Sequence, residues 1–445
     1  MDIFTTYDVK IKRYNHIFKD TVAVYRRAVD FLIGVCDAEW DSIVQIGGKK
    51  QQRTYVESIV HRTKSHPTPK YDFDSKFYKM PCYMLRAAIM DAIGKVASYR
   101  SNLKNWNLNP KGNAPSLPKA GRTFPAMYRG NMYVQTSDYV AQVKVYIRNT
   151  WDWITLDLKK SDIDYITHHC SDREHCAPSL VQRGKEWFLS FPFKEKVDLH
   201  TVDIVDQTVV AVDLGINTAA TISVMRSDGT ILDRRFCKLT QEIDHLSHAL
   251  NRIKKAQQNR NHKTPRLWAK VKGINHDISA KTAAYIMDVA MEYNADTIVF
   301  EHLDRNGKIR GSKKQKIHMW RSQEVQSIVA NKAHRLGMRI SRICAWGTSR
   351  LAYDGSGRIK RGKEAELPTY ELCQFQNGKI YNCDLSASYN IGARYFIREL
   401  LKSEAVMSRL STEPKDAPWG KRSTCTLSTL ISLNAALATS TLRAG

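Results

Sequence analysis

The stretch TVVAVDLGIN, Thr208–Asn217, decides how the rest of the chain is read. It is a β-branched apolar run of strand length that halts at Asp213, with Gly215 close behind. Flanked by turn residues, such a run reads as a buried strand. A carboxylate near the end of a buried strand is costly unless something pairs with it, and a metal ion is one such partner. Two later stretches share the pattern. DTIVFEHL (Asp296–Leu303) is a short apolar strand ending in Glu301. IYNCDLSASYNIGARYF (Ile380–Phe396) sets Asp384 at the start of a helix, where a carboxylate is also favoured by the peptide dipoles.

Outward from Thr208 the order is three strands (TVVAVDLGIN, AATISVM, ILDRRFCKL), helices over about 240–259 and 265–293, strand DTIVFE, a helix over about 320–336 and strand MRISRIC. That order predicts a mixed sheet with helices on its faces. Upstream, Leu85, Ala88, Ile89, Ala92, Ile93 and Val96 recur at helical spacing, and residues 14–106 read as a helical domain. Residues 1–13 read as a strand, 107–119 as a Pro/Gly/Asn-rich linker, and 120–204 as a β-rich module of barrel or sandwich type. The tail, 403–445, is rich in Ser, Thr, Ala and Leu and reads as poorly ordered or loosely helical.

The chain has 445 residues and a formal net charge of +25, with 69 Lys and Arg against 44 acids. An excess of that size points to a polyanionic partner, nucleic acid first. Nine cysteines without a dense, even framework argue against a secreted disulfide scaffold. No signal peptide and no membrane-spanning run is read, so a cytoplasmic, nucleoid-associated protein is expected. Lys254, Lys255, Arg260, Lys263, Arg266 and Lys270 form one basic stretch. Lys308, Arg310, Lys313 and Lys314, in KIRGSKKQK, form a second that closely follows Glu301 and would close over it as a lid. In the β-rich module, Tyr128, Tyr146 and Arg148 belong to an aromatic–basic mix that suits stacking on bases beside phosphates, or alternatively a β core.

If the sheet gathers Asp213, Glu301 and Asp384, three like charges converge. Hard oxygen donors of this kind favour Mg²⁺ or Mn²⁺. Two such ions roughly 4 Å apart activate water and stabilise the leaving oxygen of a phosphodiester.

AVDLGIN, IVFEHL and CDLSASYNIGARYF together resemble the three motifs of a RuvC-type nuclease domain, which has an RNase H-like fold. Their order and surroundings resemble the transposon-encoded TnpB proteins and the compact type V CRISPR effectors. RSQEVQSIVANKAHRLGMRISRICAWGTSR (Arg321–Arg350) resembles that family's approach to its zinc ribbon, Lys76–Trp106 its recognition helices, and Ser179–Phe193 a strand pair of its wedge barrel. The resemblance implies an α+β multidomain protein: a first wedge strand at 1–13, a helical recognition domain at 14–106, a wedge β-barrel at 120–204 and a RuvC-like nuclease domain at 205–402. It implies a Mg²⁺-dependent, RNA-guided DNA endonuclease with Asp213, Glu301 and Asp384 catalytic, and guide RNA and target double-stranded DNA as partners. An RNA-guided DNA binder without cleavage and a guide-free RNase H-like nuclease or transposase are the alternatives.

The insert 344–382 departs from the family. It keeps only Cys344 and Cys373, with Cys383 just beyond, and lacks four thiolates at ribbon spacing. No zinc is expected; packing of Trp346, Tyr353 and Tyr370 is expected to hold a metal-free insert. HHCSDREHC, with His168, His169, Cys170, His175 and Cys176, reads as a polar loop between strands rather than a zinc site.

Overall fold

The computed structural model describes residues 1–13, 16–63, 66–110, 112–303, 319–402 and 422–443. Residues 2–195 form one compact unit; Met1 and residues 196–445 belong to another.

The first unit opens with β1 (Asp2–Lys10), followed by helices α1 (Ile17–Ala38), α2 (Trp40–Gln45), α3 (Lys49–Val60) and α4 (Cys82–Leu108). Val22, Tyr25, Val29 and Leu32 of α1 recur every three or four residues and meet Leu85, Ala88, Ile89 and Ala92 of α4 in one core. The Tyr25 hydroxyl donates to Asp91 at 2.5 Å within that seam. Strands β2 (Tyr133–Ser137), β3 (Val140–Ile147) and β4 (Thr150–Asp157) form an antiparallel meander. Arg148 and Asn149, both at positive φ, make the two-residue turn between its last two strands.

Helix α5 (Lys160–Cys170) then leads to β5 (Glu174–His175), β6 (Ser179–Arg183) and β7 (Glu186–Lys196). The second sheet centres on β7, which bonds to β1, β5 and β6. The expected wedge barrel is therefore corrected: no closed barrel forms among the described residues. Two sheets stand instead, with isolated bridges at Ile11–Leu158 and Ala126–Ser179 in place of continuous ladders. The meander packs on α1, where the Tyr146 amide of its central strand donates to the Thr21 hydroxyl at 2.9 Å. HHCSDREHC is likewise not a loop. His168, His169 and Cys170 end α5, His169 stacks on Tyr165, and His175 lies in β5 against Phe193.

The second unit is built on a five-stranded mixed sheet of β8 (Thr208–Asp213), β9 (Ala220–Arg226), β10 (Ile231–Cys237), β11 (Thr297–His302) and β12 (Arg339–Cys344), in the order β10-β9-β8-β11-β12. The first three pair antiparallel; β8, β11 and β12 run parallel. Helices α6 (Thr240–Gln258) and α7 (Pro265–Glu292) form a hairpin between β10 and β11, and α8 (Ser322–Arg335) precedes β12. Val210, Val212, Ile298 and Phe300 pack on Ile286, Ala290 and Val329 of α7 and α8. Val209, Ala211 and Val299 pack on the opposite side against α9 (Cys383–Leu400). Both faces of β8 are covered, which is why its sequence is apolar without alternation.

Between β12 and α9, the insert carries a small sheet of β13 (Lys360–Arg361), β14 (Leu372–Gln374) and β15 (Ile380–Asn382). Ala352, Ile359, Cys373, Phe375 and Cys383 form its core, with Tyr353 and Tyr381 against it. Tyr353 packs as expected, but Trp346 and Tyr370 are 60% and 71% exposed and do not hold the insert together. Phe375, Tyr381 and Tyr389 around Tyr353 do.

Where it is described, the tail takes the helical one of its two expected forms. Residues 427–443 form helix α10 (Leu427–Arg443), and Leu427, Leu430 and Leu433 are buried against α9. Their spacing of three is a helical stripe set in a Ser/Thr/Ala background that masks it.

Candidate active site and nucleic-acid interface

Strand parity aims the first two acids. Side chains alternate faces along a strand, so Asp213 shares the face of Val209 and Ala211, and Glu301 shares that of Val299. That is the face covered by α9. The parallel register pairs Val212 with Phe300, so Asp213 and Glu301 are the next residues on two neighbouring strands. In each strand the acid is the residue where complete burial ends, which leaves it packed round yet accessible. Asp384 comes from the first turn of α9, whose start is capped by Asn382 accepting from the Leu385 amide at 2.9 Å.

Two glycines make these placements possible. A Cβ on Gly215 would lie 2.5 Å from the Thr218 carbonyl oxygen, so the turn after Asp213 closes only around glycine. A Cβ on Gly392 would lie 2.4 Å from Met225 Sδ, so glycine lets α9 settle onto the sheet.

Asp213 feels both of the other carboxylates. Burial pushes Asp213 well above the usual carboxylate range, and the charges of Glu301 and then Asp384 push it further, while Arg361 opposes them. Burial also raises Glu301, against the Thr348 hydroxyl that donates to it and the nearby charge of Arg394. The Cys383 thiol lies 3.3 Å from Asp384 Oδ1 and is pushed up to about 12, by burial first.

Hard oxygen donors whose mutual repulsion a divalent cation would relieve fit Mg²⁺ or Mn²⁺ by their chemistry. In the described residues the carboxylates have not closed to a ready cage: no group of three His, Cys, Asp or Glu side chains is placed to hold an ion.

Arg361 was missed in the sequence. It stands in the insert, on β13, and its Nη2 donates to the Ser349 carbonyl at 2.7 Å. Its Nε is buried with no hydrogen-bond partner among the described residues, although its charge acts on Asp213. Thr348 was missed too. Neither sits in a local pattern; only the folding of the insert brings each to the acids.

The basic residues divide. Lys254 and Lys255 on α6, Arg260 and Lys263 in the turn, and Arg266 and Lys270 on α7 are all exposed along the helical hairpin. Lys254, Lys255 and Lys270 line one groove with Arg252, His245 and His248. Lys308, Arg310, Lys313 and Lys314, with the lid reading, lie outside the described residues. In the other unit Arg148 is exposed at its hairpin turn. Tyr128 and Tyr146 are half-buried, packed against Tyr83 and Trp151, which favours the β-core alternative for their rings.

Comparisons with known proteins agree with this architecture. The Aq_aa04 family matches residues 5–147. The uncharacterized protein aq_aa04 of Aquifex aeolicus (strain VF5) is 31% identical over 121 residues, which cover 24% of this chain and 68% of that protein. The TnpB-like protein aq_aa05 of the same organism is 26% identical over 235 residues, 47% of this chain and 74% of that one. The solved structure of a Cas12f1–sgRNA–target DNA complex aligns over 84% of this chain and 81% of its own with a TM-score of 0.53 at 13% identity, a likeness of fold. The chain belongs to the Aq_aa04 family, is similar to a TnpB-like protein and shares its fold with the Cas12f1 complex.

Proposed function

We propose that this chain is an RNA-guided DNA endonuclease whose nuclease unit is an RNase H-like domain of RuvC type. The observation that carries the reading is geometric: Asp213 and Glu301 follow a paired register position on two adjacent parallel strands, on the face crossed by the helix whose first turn carries Asp384. Three converging carboxylates have no structural use that an apolar trio would not serve better. The TnpB-like relative and the fold shared with the Cas12f1 complex support a guide RNA and target DNA as partners.

Asp213, Glu301 and Asp384 would hold Mg²⁺ or Mn²⁺, which when bound supplies water activation and charge stabilisation at the departing oxygen. The chain's own groups do the rest. Thr348 fixes the Glu301 carboxylate by donating to it. Arg361, whose charge acts on Asp213 and whose buried Nε–H is unpaired among the described residues, offers a donor to a phosphate oxygen of the strand being cut. The exposed cations of the α6–α7 hairpin hold the phosphate backbone irrespective of sequence. Base pairing to the guide supplies specificity.

Asp213→Ala tests the assignment. With guide RNA and a matched plasmid it should lower cleavage by at least about 10²-fold, while target binding measured by filter retention stays within about twofold. Cleavage by Asp213→Ala at the wild-type rate would show the site is elsewhere.

A further inference from the structure

We infer that the C-terminal segment around Ser423–Leu427 is a strut of the active site, setting the position of Glu301 through two buried side chains of α9, Asn390 and Arg394. The inference rests on the reading of Glu301 as an active-site acid.

Arg394 is 4% exposed and donates to four backbone carbonyls. Its Nε reaches Cys425 O at 2.9 Å and its Nη2 reaches Ser423 O at 2.7 Å, both in the C-terminal segment. Its Nη1 reaches Cys344 O at 2.9 Å and Trp346 O at 2.7 Å, in the turn that leaves β12. The guanidinium fork is well matched to spanning two such segments, because its planar donors point in fixed directions.

Asn390, one helical turn earlier, repeats the arrangement. Its Oδ1 accepts from the Leu427 amide at 3.3 Å, and its Nδ2 donates to Thr348 O at 3.0 Å and Leu351 O at 2.9 Å. Both side chains thus hold the C-terminal segment at one end and the 344–351 turn at the other. That turn carries Thr348, whose hydroxyl donates to Glu301 and also lies 2.9 Å from Ala345 O. A hydroxyl has one proton, so a small shift of the turn decides which oxygen receives it and whether Glu301 is held.

Apolar burial of Leu427, Leu430 and Leu433 would suffice to dock α10. Two buried polar residues directed at the same turn would be a costly way to add only adhesion. Asn390 and Arg394 are positioning residues that act on Glu301 through Thr348, and Arg394 adds its nearby charge, which Arg394→Lys keeps.

The test uses the full-length protein with guide RNA. Arg394→Lys keeps the charge but cannot span four carbonyls. It should lower the single-turnover cleavage rate by about 10–100-fold and weaken Mn²⁺ binding, read by EPR without cleavage, by about tenfold. Target affinity should stay within about twofold. Leu427→Pro deletes the N–H that Asn390 accepts, at the first residue of a helix, where proline is tolerated. It should move the same readouts in the same direction from the far side of the strut, and it decides alone if Arg394→Lys does not fold. Wild-type cleavage and Mn²⁺ affinity in these variants, with Glu301→Gln inactive, would overturn the strut and leave the site standing. So would a loss of target affinity in step with cleavage. Wild-type cleavage by Glu301→Gln would instead bring down the active-site reading.

Discussion

Gly392→Ala puts the closeness of α9 to the sheet to a quantitative test. In an ordinary helix interior this change is favourable by about 1 kcal/mol, through lower backbone entropy in the unfolded chain. Here the new Cβ would stand 2.4 Å from Met225 Sδ, 3.4 Å from Met225 Cε and 3.1 Å from Ala211 Cβ. Carbon contacts settle near 3.5–4.0 Å, so the thioether must retreat by more than about 1 Å into a filled core. Ala211 cannot turn away, because its Cβ is fixed by the central strand β8. Overpacking of this kind costs about 1–3 kcal/mol. With a thioether and a backbone-fixed methyl both in the way, the upper part of that range applies. The net is about 1–2 kcal/mol of destabilisation, or a drop of about 2–8 °C in the melting temperature of the second unit. Differential scanning calorimetry reads it directly. Met225→Ala removes the obstacle at the cost of a cavity, and in that background Gly392→Ala should be neutral or stabilising by up to about 1 kcal/mol. A rise in melting temperature from Gly392→Ala alone would refute the close packing on which the placement of Asp384, Asn390 and Arg394 depends.

Salt dependence reports on the helical hairpin. If about six phosphates are contacted, non-specific DNA affinity falls roughly 10³-fold between 50 and 200 mM salt, and each of Lys254→Gln and Lys270→Gln should reduce the log–log slope by about 1; an unchanged slope places the DNA elsewhere. Acid should weaken the helical unit through Glu39, whose carboxyl is held below its ordinary range by hydrogen bonds from Lys70 and then Tyr71. Because its folded pKa is depressed, the stabilisation is present above about pH 4.3 and is lost as pH falls through the lower folded value. The stability gap between wild type and Glu39→Gln, measured by urea unfolding, should therefore shrink on going from pH 6 to pH 3; a gap that does not change with pH removes Glu39 from the account.

Much of the second unit was legible in one dimension. A β-branched run long enough for a strand, broken at a carboxylate, marks both the core and the point where it meets solvent, and TVVAVD and TIVFE carry that signal without a partner. The hairpin cations were legible because a charge excess needs no tertiary context. That the two sheets of the first unit stay open was not, because whether two sheets join depends on edge pairing between residues such as Ile11 and Leu158, which no local pattern encodes. The stripe of Leu427, Leu430 and Leu433 was hidden by its low-complexity surroundings. The meeting of Asp213 with Glu301 is a matter of register and strand parity. The arrival of Arg361 and Thr348 is a matter of how the insert folds back. Residue type and spacing set which groups are available and which segments must be buried. Only the packing of α9 across the sheet decided which of those groups share a space, since long-range pairing is fixed by shape and hydrogen-bond satisfaction rather than by any neighbour in sequence.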